Sequence, residues 1–288
     1  MPVANSAFLP LLLLGMPLLG VLEGQQAQNP SPMVEHTRPH QRLPEQSPAG
    51  RREKLELGTL FLPTNLRLAR RPPILFFFHG ATWLPEVAAA HNQVAVVSVQ
   101  AGPGSAVYEQ LFQDQQRFPK LLVEAESKAG GRFGRVMLGG WSAGCAAVRE
   151  ILRTPGSYQR VDSVLLIDGI HTPYQDGNPG PLESKIDPEH LQVWLQLGRD
   201  AVAMRKQALI THSEIFPGTF ASTTETADYL VAQLGLERHA VLKWGPMGLQ
   251  QLSEVRAGRF HLIGYAGNSA PDHVDQLHAL PVFLSWLK

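Results

Sequence analysis

One serine of this chain, Ser142, stands at the centre of the pentapeptide GWSAG, residues 140–144, with a glycine two positions away on either side. The apolar stretch RVMLGG leads into it, and the alanine-rich stretch AGCAAVREILR follows it. These patterns predict a strand, a tight turn and a helix. Such a turn needs small residues on both sides of the serine, because the strand and the helix come close together there. The hydroxyl would project from the carboxyl end of the strand, where Ser142 is predicted to act as a nucleophile.

A base must accompany this serine, because a hydroxyl is a weak nucleophile until its proton is removed, and the base needs an acid that orients it. His273 is the predicted base. It follows the last apolar run, FHLIGYAG, in the loop NSAPDHVDQL before a terminal helix. His278 is less favoured, because it lies inside that helix.

Two residues compete for the role of the orienting acid. Asp168 ends the apolar run VDSVLLID, and Glu214 follows the next run, QALITHS. We favour Asp168, because it abuts a strand end and leads into a loop that would border the site. Glu214 stays the alternative. Asp272, beside His273 in sequence, is interpreted as a helix cap.

Acyl transfer also needs two backbone N–H donors that stabilise the negative charge on the carbonyl oxygen. Ala143, directly after the serine, is the first predicted donor. The second should come from the loop after ILFFFH, where Gly80 lets the chain turn closely and Ala81 or Thr82 supplies the N–H. Trp141, beside the serine, is predicted to line the substrate cleft.

Other candidate residues receive plainer interpretations. His79 is interpreted as a structural loop residue, and Cys145 as a small buried side chain rather than a nucleophile. His171, Asp176 and His190 match no metal-binding spacing. No metal and no organic cofactor is therefore expected.

The elements that position these residues alternate along the chain. Six apolar runs are predicted strands, and LELGTLFLP before them is predicted to be a further strand or a hairpin; the six are ILFFFHG, VAVVSVQA, RVMLGG, VDSVLLID, QALITHS and FHLIGYAG. Helix-spaced segments separate them, and one begins with a capping-box pattern at Ser222 and Glu225. This order predicts an α/β fold with a mostly parallel sheet and helices on both faces. The serine and the histidine would meet at the carboxyl edge of that sheet.

Three motifs, FFFHGATW, GGWSAGCAA and APDHVDQL, together resemble the α/β-hydrolase superfamily over residues 55–288. The resemblance implies that Ser142 is the nucleophile, that His273 is the base, and that the loop of His79 and Gly80 forms part of the oxyanion hole. In one respect the chain departs from the family. Residues 236–259 are longer than the usual link before the last strand, and we expect them to form a lid or an edge element.

The implied activity is hydrolysis of an ester or an amide through an acyl-enzyme on Ser142. By analogy within the fold, an esterase is favoured over a secreted peptidase or amidase. An acyltransferase would share the acyl-enzyme. A non-catalytic binding protein on the same scaffold is an alternative from another class, although such a protein has no need of a strained turn at the serine.

Composition narrows the classes of partner. The chain has 288 residues with 25 Lys+Arg and 25 Asp+Glu, so its formal net charge is zero and nothing favours a nucleic-acid partner. The expected partner is a small molecule or a polymer that contains an ester or amide bond. Cys145 is the single cysteine of the sequence, so it allows no intramolecular disulfide and no cysteine-rich zinc site.

The amino-terminal region predicts export. The apolar run FLPLLLLGMPLLGVL has the length of a signal-peptide core, although no Lys or Arg precedes Arg38. We predict a signal peptide over residues 1–27 and a secreted or periplasmic protein with no membrane span after cleavage. Residues 28–54, Pro-rich and polar, are predicted to be a flexible linker, and residues 55–288 the catalytic domain.

Overall fold

A computed structural model of the chain describes residues 39–175, residue 177 and residues 185–287. The strands in these ranges are β1 (Gly50–Lys54), β2 (Thr59–Pro63), β3 (Ile74–Phe78), β4 (Ala95–Val99), β5 (Val136–Trp141), β6 (Ser163–Ile167), β7 (Gln207–His212), β8 (His239–Trp244), β9 (Gln250–Ala257) and β10 (Phe260–Tyr265). The α-helices are α1 (Trp83–Asn92), α2 (Ser105–Phe112), α3 (Arg117–Ala129), α4 (Cys145–Arg153), α5 (Pro155–Arg160), α6 (Gln192–Val202), α7 (Thr223–Gln233), α8 (Ala270–His278) and α9 (Leu280–Ser285).

The strands form one sheet in the order β1-β2-β4-β3-β5-β6-β7-β10-β9-β8. Its centre, from β4 to β10, is parallel, and antiparallel pairs extend it at both edges. The predicted α/β class with a mostly parallel sheet is confirmed. Strand β5 and the turn after it lie near the middle of the sheet.

Both faces of the sheet are covered, and strand β3 shows why its sequence is continuously apolar. Alternate residues of a strand point to opposite faces. Phe76 and Phe78 pack into one core with helices α2 to α7, and Leu75 and Phe77 pack into the other with α1, α8 and α9. A strand buried on both sides needs apolar residues at every position.

The predicted linker, residues 28–54, is wrong at its carboxyl end, because Gly50–Lys54 forms β1 and the folded domain begins before residue 55. The linker was predicted from a Pro-rich and polar composition, which does not reveal a strand held by polar contacts. Arg51 donates to the main-chain oxygens of Lys128 and Ala129, at 3.2 and 2.9 Å, and so fixes an exposed edge strand. The predicted signal peptide, residues 1–27, lies outside the described residues.

The long link of residues 236–259 forms an edge element, since β8 and β9 pair with each other and β9 pairs with β10. The terminal helix is in fact two helices, α8 and α9. Pro281 has no N–H to donate to the carbonyl four residues before it, so α8 cannot continue through it. The capping box at Ser222 and Glu225 is present as predicted. Within the described ranges, no helix is long and apolar enough to cross a bilayer.

Candidate active site

Ser142 lies on a strained turn between β5 and α4. Its φ is 50°, in the left-handed region that a non-glycine residue rarely adopts. A Cβ on Gly144 would lie 1.9 Å from the main-chain oxygen of Phe78, and a Cβ on Gly140 would lie 2.8 Å from the nitrogen of Cys145. Both glycines are therefore needed for the close approach of the turn to its neighbours, as the pentapeptide predicted.

His273 lies in the first turn of α8, and not in the loop before the helix as we expected. Its Nδ1 is 2.7 Å from Oδ2 of Asp168. Asp272 has the predicted capping role, because its carboxylate accepts hydrogen bonds from the N–H and the hydroxyl of Ser269. The helix therefore begins at a fixed point and holds His273 against Asp168.

Asp168 is buried, and both of its carboxylate oxygens have hydrogen-bond partners. Oδ2 faces His273, while Oδ1 accepts from the N–H and hydroxyl of Ser213, at 2.8 and 2.9 Å, and from the hydroxyl of Thr223, at 2.7 Å. The φ of Asp168 is also positive, at 44°. Ser213 and Thr223 were not predicted from the sequence, because hydroxyl residues near strand and helix ends are too common to single out.

The environment of Asp168 keeps it ionised. Burial alone would raise the pKa of its carboxyl, but the hydrogen bond and charge of His273, with the hydrogen bonds from Thr223 and Ser213, hold that pKa well below its usual value. An ionised acceptor at Nδ1 fixes the tautomer of the imidazole, so that Nε2 is free to accept a proton.

Glu214, the alternative acid, lies elsewhere. Its side chain is exposed, and its main-chain N–H donates to the oxygen of Gly267 at 2.9 Å. Partial desolvation of its carboxyl raises the pKa of Glu214. Of the two candidates, Asp168 is the one that contacts His273.

Trp141 is half-buried and packs between two imidazoles. Its ring stacks on His79 with centroids 5.2 Å apart and on His273 with centroids 4.6 Å apart. His79 in turn is 3.0 Å from the hydroxyl of Tyr108 through Nδ1, and burial together with the charge of His273 lowers the pKa of its imidazole. Trp141, which was expected to line the substrate cleft, thus contacts the imidazoles of His79 and His273.

The predicted oxyanion donors come from two adjacent backbone segments. Ala143 begins the turn into α4, and the loop of Gly80 and Ala81 follows β3, the neighbour of β5. The φ values of His79 and Gly80 are 72° and 98°, so the chain turns sharply there. A Cβ on Gly144 would also come within 2.9 Å of the His79 Cβ, which shows how closely the loop and the turn approach.

A cavity of about 270 Å³ connects the proposed catalytic residues. Ser142, Asp168 and His273 line it together, with apolar walls from Ile215, Pro217, Phe220 and Ala270 and further contacts from His171, Ser213 and Thr223. Among the described residues, no hydrogen bond joins Ser142 to His273; between a serine nucleophile and its base, such a bond commonly tightens only when a substrate is bound. The cavity gives a reacting carbonyl a place beside both.

A second cavity, of about 190 Å³, lies beside the first, and His171 and Phe220 line both. Arg149 and His190 line it, and Arg149 donates to Nδ1 of His190 at 3.1 Å. Asp176, considered with the two histidines as a metal ligand, lies outside the described residues. Cys145, at the floor of this cavity, is buried, and burial raises the pKa of its thiol, as expected for an unreactive side chain.

No protein-family description and no curated protein matches this sequence. Among solved structures, an acetyl xylan esterase from Aspergillus awamori is similar, with 14% identity over 78% of this chain and 93% of that chain and a TM-score of 0.46. A feruloyl esterase module from Clostridium thermocellum has 15% identity over 86% and 95%, with a TM-score of 0.48. A poly(3-hydroxybutyrate) depolymerase from Bordetella parapertussis has 13% identity over 77% and 82%, with a TM-score of 0.43.

Proposed function

We propose that the protein is a serine hydrolase that cleaves an ester or amide bond through an acyl-enzyme on Ser142, with His273 as the general base and Asp168 as the acid that orients it. The proposal depends mainly on the buried Asp168 carboxylate, which lies 2.7 Å from Nδ1 of His273 and is held by two hydroxyl residues. The burial of a carboxylate and the backbone strain at Ser142 both cost free energy, and a purely structural role would require neither.

In the proposed reaction, the Ser142 oxygen attacks the substrate carbonyl while Nε2 of His273 takes the hydroxyl proton. The negative charge that develops on the carbonyl oxygen is stabilised by the N–H of Ala143 and by an N–H of the Gly80 loop. The resulting imidazolium is stabilised by Asp168 and protonates the leaving group, which departs as an alcohol or an amine. Water then attacks the acyl-enzyme by the same route and releases the acid.

The cavity favours a small apolar substituent on the reacting carbonyl. Its walls of Ile215, Pro217 and Phe220 offer no charge, and its volume of about 270 Å³ is small for a ligand site. We rank esters before amides, because an alcohol leaves more easily than an amine and needs less assistance from the base. Export of the protein stays a prediction from the sequence.

Labelling with a fluorophosphonate, read by intact-mass and peptide mass spectrometry, tests the proposal. One adduct per chain on Ser142, absent from Ser142→Ala, is the expected result. A folded wild-type protein that takes up no label would contradict it and favour the non-catalytic binding protein. If labelling occurs, hydrolysis of para-nitrophenyl esters from acetate to octanoate is expected to be fastest for the short acyl chains.

A further inference from the structure

Residues 40–43, which we call the N-terminal strap, lie on the helix that carries the proposed base. The Nδ1 of His40 is 2.7 Å from Oδ2 of Asp275, and the Nε–H of Arg42 donates to Oδ1 of the same carboxylate at 2.9 Å. These residues fall within the region that the sequence predicts to be a flexible linker. The structure instead attaches them to α8.

Arg42 contacts this helix on both sides of His273. Besides its bond to Asp275, it donates from Nη2 to the main-chain oxygen of Pro271 at 3.0 Å. Pro271 and Asp275 are each two residues from His273 in sequence. Because the guanidinium is planar and rigid, its two hydrogen bonds fix the relative position of the groups that accept them.

The strap follows one face of α8. Its Leu43 N–H donates to Nδ1 of His278 at 3.1 Å. Pro271, Asp275 and His278 are spaced by four and three residues, which places them on the same side of a helix. Nδ1 of His273 is directed to Asp168, so the first turn is held both by the acid and by the strap.

The strap also passes the turn between β8 and β9, where a Cβ added to Gly248 would lie 3.4 Å from Cδ of Gln41. The Leu43 side chain packs against the apolar core beneath α8 and α9. The packing of Leu43 against this core adds to the hydrogen bonds that hold the strap on α8.

The Asp275 carboxylate makes the contact with Arg42 consequential. Its side chain is fully buried, whereas that of Arg42 is 37% exposed. A buried carboxylate requires charged donors, because the loss of its hydration is costly. If one of these donors is removed, a shift toward water lowers the free energy of the carboxylate by restoring its hydration. The helix turn to which the carboxylate belongs then moves with it.

We propose that Arg42 is a positioning residue for His273, which holds the first turn of α8 at Pro271 and Asp275 so that the imidazole meets Ser142. This inference rests on the proposed function of His273 as the base. It makes the N-terminal strap part of the catalytic unit, although its residues touch neither the cavity nor the serine.

The test compares Arg42→Gln with Arg52→Gln in the full chain. Arg52 is a matched control, because its side chain is 36% exposed and it also bonds a carboxylate, that of Glu86, and a main-chain oxygen, that of Pro48 at 3.1 Å. We expect Arg42→Gln to lower kcat and the rate of fluorophosphonate labelling by about 10- to 100-fold, with KM within about twofold. Arg42→Lys keeps the charge but not the planar guanidinium, so its kcat and labelling rate should lie between those of Arg42→Gln and the wild type.

Amide hydrogen exchange in α8 gives a second readout that does not depend on activity. Faster exchange near His273 in Arg42→Gln, and not in Arg52→Gln, is expected. Labelling at the wild-type rate in Arg42→Gln, or an equal loss in Arg52→Gln, would overturn the positioning role. If Arg42→Gln does not fold, the same comparison is made with Arg42→Lys. A wild-type protein without label would instead disprove the proposed function.

Discussion

The indole Nε1–H of Trp141 donates a hydrogen bond to the main-chain oxygen of His273 across 3.1 Å, and the two rings stack on each other. Trp141 is the residue before Ser142. One side chain thus links the turn that carries the proposed nucleophile to the helix that carries the proposed base. This link and the contact of His273 with Asp168 together position the proposed base relative to the proposed nucleophile.

We expect Trp141→Phe to lower kcat by about 3- to 10-fold, because one hydrogen bond of about 0.5–1.5 kcal/mol is lost while an aromatic ring remains. Steady-state kinetics on a short-chain ester would measure this effect. Trp83→Phe is the control, since Trp83 contacts His278 of the same helix through its ring. An equal decrease in both variants would show that the Trp141 hydrogen bond has no special role.

Substitution of the two candidate acids should separate them clearly. Asp168→Asn removes the ionised acceptor at Nδ1 of His273, so the imidazole adopts the wrong tautomer and kcat should fall by about 10⁴-fold. Glu214→Gln should stay near the wild-type rate, because Glu214 is exposed. The reverse ranking, measured on variants with native circular dichroism, would make Glu214 the acid.

Gly144, two residues after Ser142, should tolerate no side chain. In Gly144→Ala, the new Cβ would lie 1.9 Å from the Phe78 oxygen, so we expect a loss of about 3 kcal/mol or more in the free energy of unfolding and loss of labelling. Gly156→Ala is the control, because nothing lies within 4 Å of its Cβ position. Urea denaturation of both variants measures the difference; equal stabilities would mean that the turn can relax.

The nucleophile turn and the central strands could be predicted from the sequence because their signals are local. Continuous apolar runs identify strands buried on both faces, and the two glycines identify the turn. The choice of acid could not be predicted in this way. Asp168 and Glu214 follow neighbouring strands, and the difference arises from Ser213 and Thr223, which come from separate parts of the chain.

The edges of the sheet were harder to predict for a different reason. Strand β8 exposes Leu242 and Trp244, at 76% and 67%, so no alternation of buried and exposed residues marks it. Strand β1 is rich in charge and resembles a solvated linker. Both strands gain their structure from one paired neighbour rather than from a buried face.

His212, the last residue of β7, should make the stability of the protein depend on pH. Burial and then the charge of Arg238 lower the pKa of the His212 imidazole from 6.5 to about 4. Arg238 donates to Nε2 of His212 at 2.8 Å, so a proton on that nitrogen would break the contact. Between these two pH values the unfolded chain binds the proton and the folded chain does not, so the free energy of unfolding decreases as pH falls through this window.

The size of this effect is up to about 3 kcal/mol for a fully buried imidazole. In His212→Gln, the slope of the unfolding free energy against pH between 6.5 and 4 should become shallower, as measured by chemical denaturation at a series of pH values. An unchanged slope in His212→Gln would show that this imidazole is protonated in the folded protein.

The hydrogen bond between Arg42 and Asp275 joins residues 233 positions apart. Contacts between residues this far apart in sequence form late in folding. The chain first loses the entropy of closing a long loop, and only then gains the energy of the contact. During synthesis the amino-terminal part emerges first and must wait for the last helices before it can attach. A nascent chain without α8 would therefore lack the helix that carries the proposed base, so the proposed hydrolysis would need that helix to be in place.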